Sequence, residues 1–208
     1  MSSFRAIQLD KDKELRRRLP SLPPEHPYSY HGMKTLGYAW GKFVSHKANV
    51  DVRADLTFRQ KIVVSSAPVW GAAVVDENVF INEGYAISNI TAFLNRLNYA
   101  CYKHAYKRYG KRLEVVSCIH GGDRDLREGV SLTDMEKRLH THLLLQLPAH
   151  MDFERFKCLI EKHWKDTSWG YDVNVIEPIK SRMGSARYNV GNTMDCIDLQ
   201  NTNFAEEK

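Results

Sequence analysis

Runs of β-branched and other apolar residues occur in four stretches of this chain, and each stretch predicts a β-strand. In the first of them, valine, threonine and phenylalanine alternate in part with polar side chains, a pattern that suits a sheet with two different faces. The predicted strands cover residues 49–64, 113–120, 138–148 and 172–176. Residues 65–85 are apolar with proline and glycine, which indicates a further short strand or hairpin.

Two other stretches have apolar residues at helical spacing. The longer predicted helix covers residues 88–112, where Ser88 or Asn89 is suited to cap it and Gly110 to end it. The shorter covers residues 153–164. A helix or turn is expected over 181–190. Because strands outnumber helices and some are adjacent in sequence, we predict an α+β fold with a central antiparallel sheet and helices packed on it.

The 208 residues are enough for one domain with a hydrophobic core. Residues 1–48 are predicted to be an N-terminal arm and extension, because a charged run and four prolines interrupt any helix before residue 30. No element is assigned within 31–48. Residues 49–194 form the predicted domain, and 195–208 are predicted to be a polar, frayed tail.

Composition excludes several classes of protein. With 43% hydrophobic and 26% charged residues, the composition is ordinary for a globular protein and argues against wholesale disorder. The four cysteines contain no CxxC pair, so neither a zinc ribbon nor a dense disulfide framework is expected. No apolar run approaches the ~20 residues of a membrane helix. The N-terminus lacks a hydrophobic stretch of the signal-peptide type, and we therefore expect a cytoplasmic protein without a membrane partner.

Charge is unevenly distributed along the chain. The net charge is +5 and the pI is about 9.0, which fits a polyanionic partner without requiring one. The polar face of the predicted helix 88–112 is basic, with no acidic residue between Asn95 and Arg112. A solvated face remains the alternative, but such an imbalance favours contact with DNA. The residues concerned are Arg96, Lys103, Lys107 and Arg108.

Two histidines stand at the start of the predicted strand 138–148. His140 and His142 are two residues apart, so on a strand both imidazoles point to the same face and are placed to share a metal ion. His120 ends the preceding strand and can join them if the two strands pair. Three neutral imidazoles suit Mn, Zn, Co or Ni better than Mg. Glu114 is an alternative third ligand, although it lies near the other end of its strand.

Tyr188 is the candidate nucleophile, because its segment follows the last predicted strand and could cross the metal face. A tyrosine hydroxyl is weakly nucleophilic at its ordinary pKa near 10. A metal ion on the scissile phosphate would favour its attack, which stores the energy of the broken phosphodiester in a phosphotyrosyl bond. Arg182 and Arg187 could bind neighbouring phosphates as bidentate donors.

Three segments together carry a resemblance to a known family. They are DLTFR at 55–59, RLHTHLLL at 138–145 and SARYNVGN at 185–192. In their order, and with helices between them, they resemble the motifs of the HUH endonuclease superfamily, specifically the single-tyrosine rolling-circle replication initiators. The resemblance covers about residues 50–192.

The resemblance implies a fold related to the RRM palm and a DNA-nicking and joining activity. It implies Tyr188 as nucleophile, His140 and His142 as metal ligands, and His120 where the family has a third polar ligand. Mn or Mg would be the cofactor, and a single-stranded or hairpin DNA origin the substrate. The sequence contains no P-loop motif, so any helicase would be a recruited host protein.

The chain departs from the family pattern at two places. Thr141 replaces the large hydrophobic residue between the histidines, and Gly191 and Asn192 occupy positions where the family usually has a lysine. Lys180, Arg182 or Arg187 could supply that charge. A transposase or relaxase of the same superfamily, a non-catalytic nucleic-acid-binding protein and a metal-dependent hydrolase acting on RNA or a small phosphate ester remain alternatives.

Overall fold

A four-stranded antiparallel sheet forms the centre of the protein. The computed structural model describes residues 30–66, 75–121, 138–190 and 196–204. The sheet has the strand order β4, β5, β1, β6, and each neighbouring pair is antiparallel. A separate two-stranded antiparallel sheet contains β2 and β3. The strands are β1 (Val52–Phe58), β2 (Lys61–Ser66), β3 (Val75–Phe80), β4 (Val115–His120), β5 (His140–Leu145) and β6 (Gly170–Pro178).

Helices pack on both faces of the four-stranded sheet, which confirms the α+β class. The helices are α1 (Tyr30–Lys47), α2 (Glu83–Tyr102), α3 (His104–Tyr109), α4 (Phe153–Lys165) and α5 (Arg182–Val190). Side-chain caps begin two of them: Asn82 accepts a hydrogen bond from the Tyr85 amide in α2, and Asp152 accepts one from the Arg155 amide in α4.

The larger hydrophobic core lies on the face covered by α2 and α4. Leu56, Leu143 and Leu145 project from the sheet into this core. Trp164 of α4 packs against Phe58 and also donates its indole N–H to the Thr57 carbonyl at 3.1 Å. The helices contribute apolar residues at helical spacing, as the pattern predicts: Ile90, Phe93 and Leu97 from α2, and Phe156, Ile160 and Trp164 from α4.

The opposite face of the sheet is covered by α1 and α5. Its smaller core includes Val44 of α1, Leu144 of β5 and Ala186 of α5. The two helices approach so closely that a Cβ on Gly41 would lie 2.8 Å from the Met183 carbonyl oxygen. Gly41 is therefore required for this contact, and α5 is held in place by both the sheet and α1.

The structure corrects several predicted boundaries. Residues 49–64 are not one strand, because the chain leaves the main sheet after Phe58 and starts β2 at Lys61. The long helix begins after Asn82 rather than at Ser88, and it is broken at Lys103, whose φ is 46°. Gly110 does end the following helix, with a φ of 63°.

Both ends of the described chain are more ordered than the sequence predicts. Residues 30–47 form α1 and pack on the domain, although the sequence assigns them to an extension; residues 1–29 lie outside the described part. The predicted frayed tail instead runs along β4, where the Asn203 and Val115 backbones exchange two hydrogen bonds of 2.8 Å. Buried Asp198 and Asn201 anchor it through hydrogen bonds that the polar composition of the segment does not predict.

No helix in the described ranges is long and apolar enough to span a bilayer.

Candidate functional site

Strand alternation gathers the three predicted histidines on one face of the sheet. In the register of the β4–β5 pair, His120 lies opposite His140, and Cys118 lies opposite His142. On the other side of β5, Asp55 of β1 is opposite His142. Cross-strand partners project to the same face, and this is the face that α1 and α5 cover. We call the group His120, His140 and His142 the histidine cluster.

The rings of the histidine cluster are close to one another. The centroids of His140 and His142 are 5.0 Å apart, those of His120 and His142 are also 5.0 Å apart, and those of His120 and His140 are 5.7 Å apart. The hydrogen-bonded ladder of β4, β5 and β1 fixes the Cα positions of these residues, and so it sets the spacing of the rings. Glu114 is not part of the cluster: it precedes β4 at the far end and accepts hydrogen bonds from the Asn49 backbone and side chain.

Two of the imidazoles are oriented through their Nδ1 atoms. Nδ1 of His140 is 2.8 Å from the Arg138 carbonyl, and Nδ1 of His142 is 2.7 Å from Oδ1 of Asp55. Both partners are oxygen acceptors, so in the neutral rings the Nδ1 atoms carry the proton and the Nε2 lone pairs remain available. Metal-ligating histidines usually donate their second ring nitrogen to such a carbonyl or carboxylate.

Gly121 lets the chain after β4 pass close to the Arg138 carbonyl, the group that accepts a hydrogen bond from His140. It follows His120 with a φ of 79°, and a Cβ there would lie 2.2 Å from the Arg138 carbonyl oxygen. A side chain at this position would therefore displace the same carbonyl that accepts from His140.

His120 is more strongly engaged than the other two imidazoles. Its Nε2 lies against the Asn189 carbonyl of α5, at hydrogen-bonding distance. Burial opposes a proton on His120, but the Cys196 thiol and the Asn189 carbonyl outweigh it, so the pKa of His120 is raised. Burial has the net effect of lowering the pKa of His140. The two rings therefore differ in their affinity for a proton.

Asp55 links the histidine cluster to Arg53, a partly buried arginine of β1. Burial alone would raise the pKa of Asp55, but the hydrogen bonds from His142 and Arg53 outweigh it and the pKa lies below its ordinary value. The carboxylate is thus ionised and holds both partners. Arg53 also forms an ion pair with Glu177 of β6 at 3.4 Å.

Tyr188 lies beside this group. Its ring centroid is 5.4 Å from that of His142, with the two planes at 75°. The Arg53 guanidinium lies 4.2 Å from the same ring. Tyr188 is 56% exposed, so much of the residue is accessible from solvent even though the ring contacts His142. The helix α5 positions it, because Ala186, Asn189 and Val190 on the adjacent face of that helix are buried against the sheet.

Asn189 is a buried polar residue whose side-chain amide makes no hydrogen bond to the described residues. Its side chain is fully buried, and within the described residues neither its amide nitrogen nor its amide oxygen has a hydrogen-bond partner. A buried unpaired amide costs about 1–3 kcal/mol, which makes this position costly unless something else occupies the site. Asn189 follows Tyr188 directly and contacts His120 through its carbonyl.

The donor set is compatible with a divalent transition metal, although the side chains are not already arranged as ligands. Within the described residues, no three His, Cys, Asp or Glu side chains form a metal-coordinating group. The Nε2 atoms of His140 and His142 and the neighbouring His120 imidazole are nevertheless donors of the type that such an ion prefers.

The predicted basic residues are not gathered at the histidine cluster. Arg96, Lys103, Lys107 and Arg108 belong to the α2–α3 segment, whose helix α2 packs on the opposite face of the sheet. The Arg96 side chain donates to the Asp166 carbonyl.

The two arginines of α5 also lie away from the cluster. Arg182 is held at the start of β1 by the Val50 carbonyl and the Asp51 carboxylate, both at 2.9 Å. The Arg187 side chain lies next to Gly41 of α1. Neither contacts the Tyr188 ring in the structure, whereas Arg53 does.

Sequence reasoning identified the histidines and the tyrosine but missed Arg53, Asp55 and Asn189. Arg53 and Asp55 occupy the strand that also contains the DLTFR segment, yet their role depends on which strand lies next to β5. Two charged residues at i and i+2 within an apolar strand are the signal that could have indicated them. No comparable signal distinguishes Asn189.

No protein-family model matches this chain, and neither a curated protein nor a solved structure is significantly similar to it. Its class is therefore defined by fold and site alone: an α+β protein with three imidazoles and a phenol on one face of an antiparallel sheet. Any function must be argued from the chemistry of that group.

Proposed function

We propose that the protein is a metal-dependent single-stranded DNA endonuclease and strand-joining enzyme. In this proposal it initiates rolling-circle replication through a 5′-phosphotyrosyl intermediate on Tyr188. One observation carries the proposal: the Tyr188 ring lies 5.4 Å from the His142 ring, on the face where His120 and His140 also lie. A packing tyrosine has no need of three imidazoles beside it.

Tyr188 would act as the nucleophile. Its oxygen forms a bond to the phosphorus of the scissile phosphodiester, and the bond from phosphorus to the 3′ oxygen breaks. The phenol proton passes to solvent, and the departing 3′ oxygen takes up a proton to become a hydroxyl. Joining is the reverse reaction with a 3′ hydroxyl as attacking group, so no external energy source is needed.

His140 and His142 would hold a divalent ion, Mn or Mg, through their available Nε2 atoms, with His120 as the third ligand. A bound ion would supply charge neutralisation and orientation of the scissile phosphate. Asp55 keeps His142 in the tautomer that leaves Nε2 free, and the Arg138 carbonyl does the same for His140.

Arg53 would supply the positive charge for which the family usually has a lysine after the tyrosine. Its guanidinium lies 4.2 Å from the centre of the Tyr188 ring and is held there by Asp55 and Glu177. A cation at the ring would favour the negative charge that develops on the phenol during attack, because a partly buried setting screens the attraction less than bulk water does. The hydrogen bond to Asp55 keeps the pKa of Arg53 above its ordinary value, so it stays charged.

A transposase or relaxase of the same superfamily would use the same residues, so their chemistry alone does not select among these roles. A non-catalytic nucleic-acid-binding protein is the alternative from another class, and Gly191 and Asn192 at the usual lysine positions favour it. A metal-dependent hydrolase would use the histidines without Tyr188.

The proposal is tested by trapping the covalent intermediate. A single-stranded DNA pool with a 3′ label is incubated with the protein and Mn or Mg, and the products are separated under denaturing conditions. Wild-type protein should give a labelled protein–DNA adduct that Tyr188→Phe fails to form. Tyr85→Phe is the matched control, since Tyr85 is also exposed but stacks on Trp169 in the core of the other face.

The three classes give different results. Cleavage that persists in Tyr188→Phe but is lost in His140→Ala identifies a hydrolase. Binding without cleavage in the wild type identifies a non-catalytic protein, and the proposal is then rejected. An adduct formed equally well by Tyr188→Phe would place the nucleophile elsewhere.

A further inference from the structure

The α2–α3 segment presents a cationic surface interleaved with tyrosines. The exposed cations are Lys103, Lys107, Arg108, Lys111 and Arg112, and the aromatic residues are Tyr99, Tyr102, Tyr106 and Tyr109. We call this set the basic–aromatic face. It lies on the helices that cover the side of the sheet opposite the histidine cluster, because the apolar residues of α2 pack with Leu143 and Leu145.

Cation–ring contacts organise this face. Lys107 lies 5.0 Å from the Tyr99 ring centre, and Lys111 lies 4.9 Å from that of Tyr102. Arg112 lies 5.7 Å from the Tyr106 ring, and the Tyr106 hydroxyl donates to Asn95 at 2.8 Å. Exposed contacts of this kind are weak, so they align the cationic groups without neutralising them.

In the part of the chain that the structure describes, the basic–aromatic face has no acidic partner. The sequence has no aspartate or glutamate between Asn95 and Leu113. Glu114, the next acidic residue, is buried and accepts from Asn49 instead. Within the described residues, none of the five cations forms an ion pair with an acidic side chain. The charge is therefore available to an external polyanion.

The backbone between the two helices is strained. Lys103 has a φ of 46°, a value that non-glycine residues rarely adopt, and it directs α3 away from the axis of α2. Because of this break, Lys107 of α3 reaches back to the Tyr99 ring of α2. A straight helix would separate these groups, so the strain supports the arrangement of the face.

We infer that the basic–aromatic face binds single-stranded nucleic acid at a place separate from the histidine cluster. Its cations would contact phosphates, and its exposed rings would stack on bases. Tyr109 is 80% exposed and Tyr99 is 47% exposed, so both side chains present surface to solvent that is not buried by packing. Surfaces that combine backbone cations with exposed aromatic rings are typical of binding to single strands.

This inference does not depend on the chemistry of Tyr188. A strand on this face lies across the sheet from the Tyr188 ring, so it is a different stretch of nucleic acid from any phosphate at the cluster. The protein would thus hold two segments, one on each side of the sheet. A binding experiment tests this whether or not the protein cleaves DNA.

Binding is measured by fluorescence anisotropy of a short labelled oligothymidylate over a range of salt concentrations, without divalent metal. The variant is the triple Lys103→Gln, Lys107→Gln and Arg108→Gln. Its control is Lys61→Gln, Lys162→Gln and Lys165→Gln, which removes the same charge from exposed positions elsewhere. The slope of log affinity against log salt should fall by about 2 in the variant, at roughly 0.7 per lost contact, and stay unchanged in the control.

Tyr109→Ala tests the stacking. It should weaken binding of the single strand by about 5- to 100-fold, as loss of one base–aromatic stack predicts. Equal slopes for the triple variant and its control would overturn the inference. So would a duplex that binds as tightly as the single strand with no effect of Tyr109→Ala. Tyr188→Phe should bind normally, so a failure of cleavage is not mistaken for a failure of binding.

Discussion

At the scale of single residues, Arg53 is the least expected member of the site. It contacts Asp55, Glu177 and the Tyr188 ring at once. Replacing it with Gln removes a charge-assisted contact whose typical value is about 1.5–3 kcal/mol. We expect Arg53→Gln to slow adduct formation by about 10- to 100-fold at neutral pH, since no cation then lies against the ring of the attacking phenol.

The expected control for this change is Arg155→Gln, which removes the same charge from an exposed position on α4. It should leave the rate unchanged. Arg53→Lys keeps the charge but loses the planar group, and it should recover part of the rate at neutral pH. Equal rates of adduct formation for Arg53→Gln and the wild type would show that Arg53 does not act on the phenol.

The histidines give a second prediction at this scale. His140→Ala or His142→Ala should each abolish metal-dependent cleavage while far-UV circular dichroism stays close to that of the wild type. Neither ring belongs to the two hydrophobic cores, although His142 is buried, so the secondary structure should survive either change. Calorimetric titration with Mn should also show weaker binding in each variant. Normal nicking by the double variant would remove the metal from the proposal.

The sequence indicates the histidines better than it indicates their partners. The spacing of His140 and His142 places both on one face because strand side chains alternate, and that follows from local geometry alone. Asp55 lies beside His142 only because β1 pairs with β5 in a particular register. Register depends on contacts between distant parts of the chain, so residues 53 and 55 could not be assigned from their own neighbourhood.

At the scale of elements, the contact between α1 and α5 holds Tyr188 in place. A methyl group on residue 41 would meet the Met183 carbonyl at 2.8 Å and side chains of Met183 and Arg187 within 3.0 Å. We expect Gly41→Ala to lower the free energy of unfolding by about 1–3 kcal/mol through overpacking. Urea denaturation monitored by circular dichroism measures it.

Gly37→Ala is the matched control in the same helix. No atom lies within 4 Å of a Cβ at residue 37. The substitution should therefore stabilise the helix by up to about 1 kcal/mol, since alanine has the higher helix propensity. If both variants shifted the urea midpoint in the same direction, the close approach of α1 and α5 would not be what makes Gly41 necessary.

Helix α1 shows why some elements escape sequence analysis. Its residues include three glycines and several aromatics, and Val44 and Trp40 face the small core without forming a continuous apolar stripe. The helix is stabilised by packing against α5 and the sheet. By contrast, the regular apolar spacing of α4 predicts its bounds to within a residue, since there the stripe alone determines the buried face.

At the scale of the whole molecule, residues 196–204 complete the sheet at its β4 edge. The Asp198 carboxylate contacts Ser117 and Asn201, and the backbones of Asn203 and Val115 pair. A chain ending at residue 195 should unfold at a lower urea concentration and self-associate, because the uncovered strand edge is free to pair with another copy. Size-exclusion chromatography and urea denaturation check the two effects.

Leu199→Ser serves as the control, since that side chain is 80% exposed. It should leave the urea midpoint and the elution volume as in the wild type. A truncated chain that elutes as the wild type and unfolds at the same midpoint would show that the segment adds nothing to the sheet.

The backbone of β1 is held unusually where it passes the histidine cluster. Pairing with β6 is irregular between Leu56 and Phe58, and the Thr57 carbonyl accepts a hydrogen bond from the Trp164 indole at 3.1 Å. Thr57 is also the cross-strand partner of His140. The backbone beside the reactive groups is therefore tied both to β5 and to a buried indole on the far side of the sheet. A substitution at Trp164 would reach His140 through the main chain, although the two side chains lie on opposite faces.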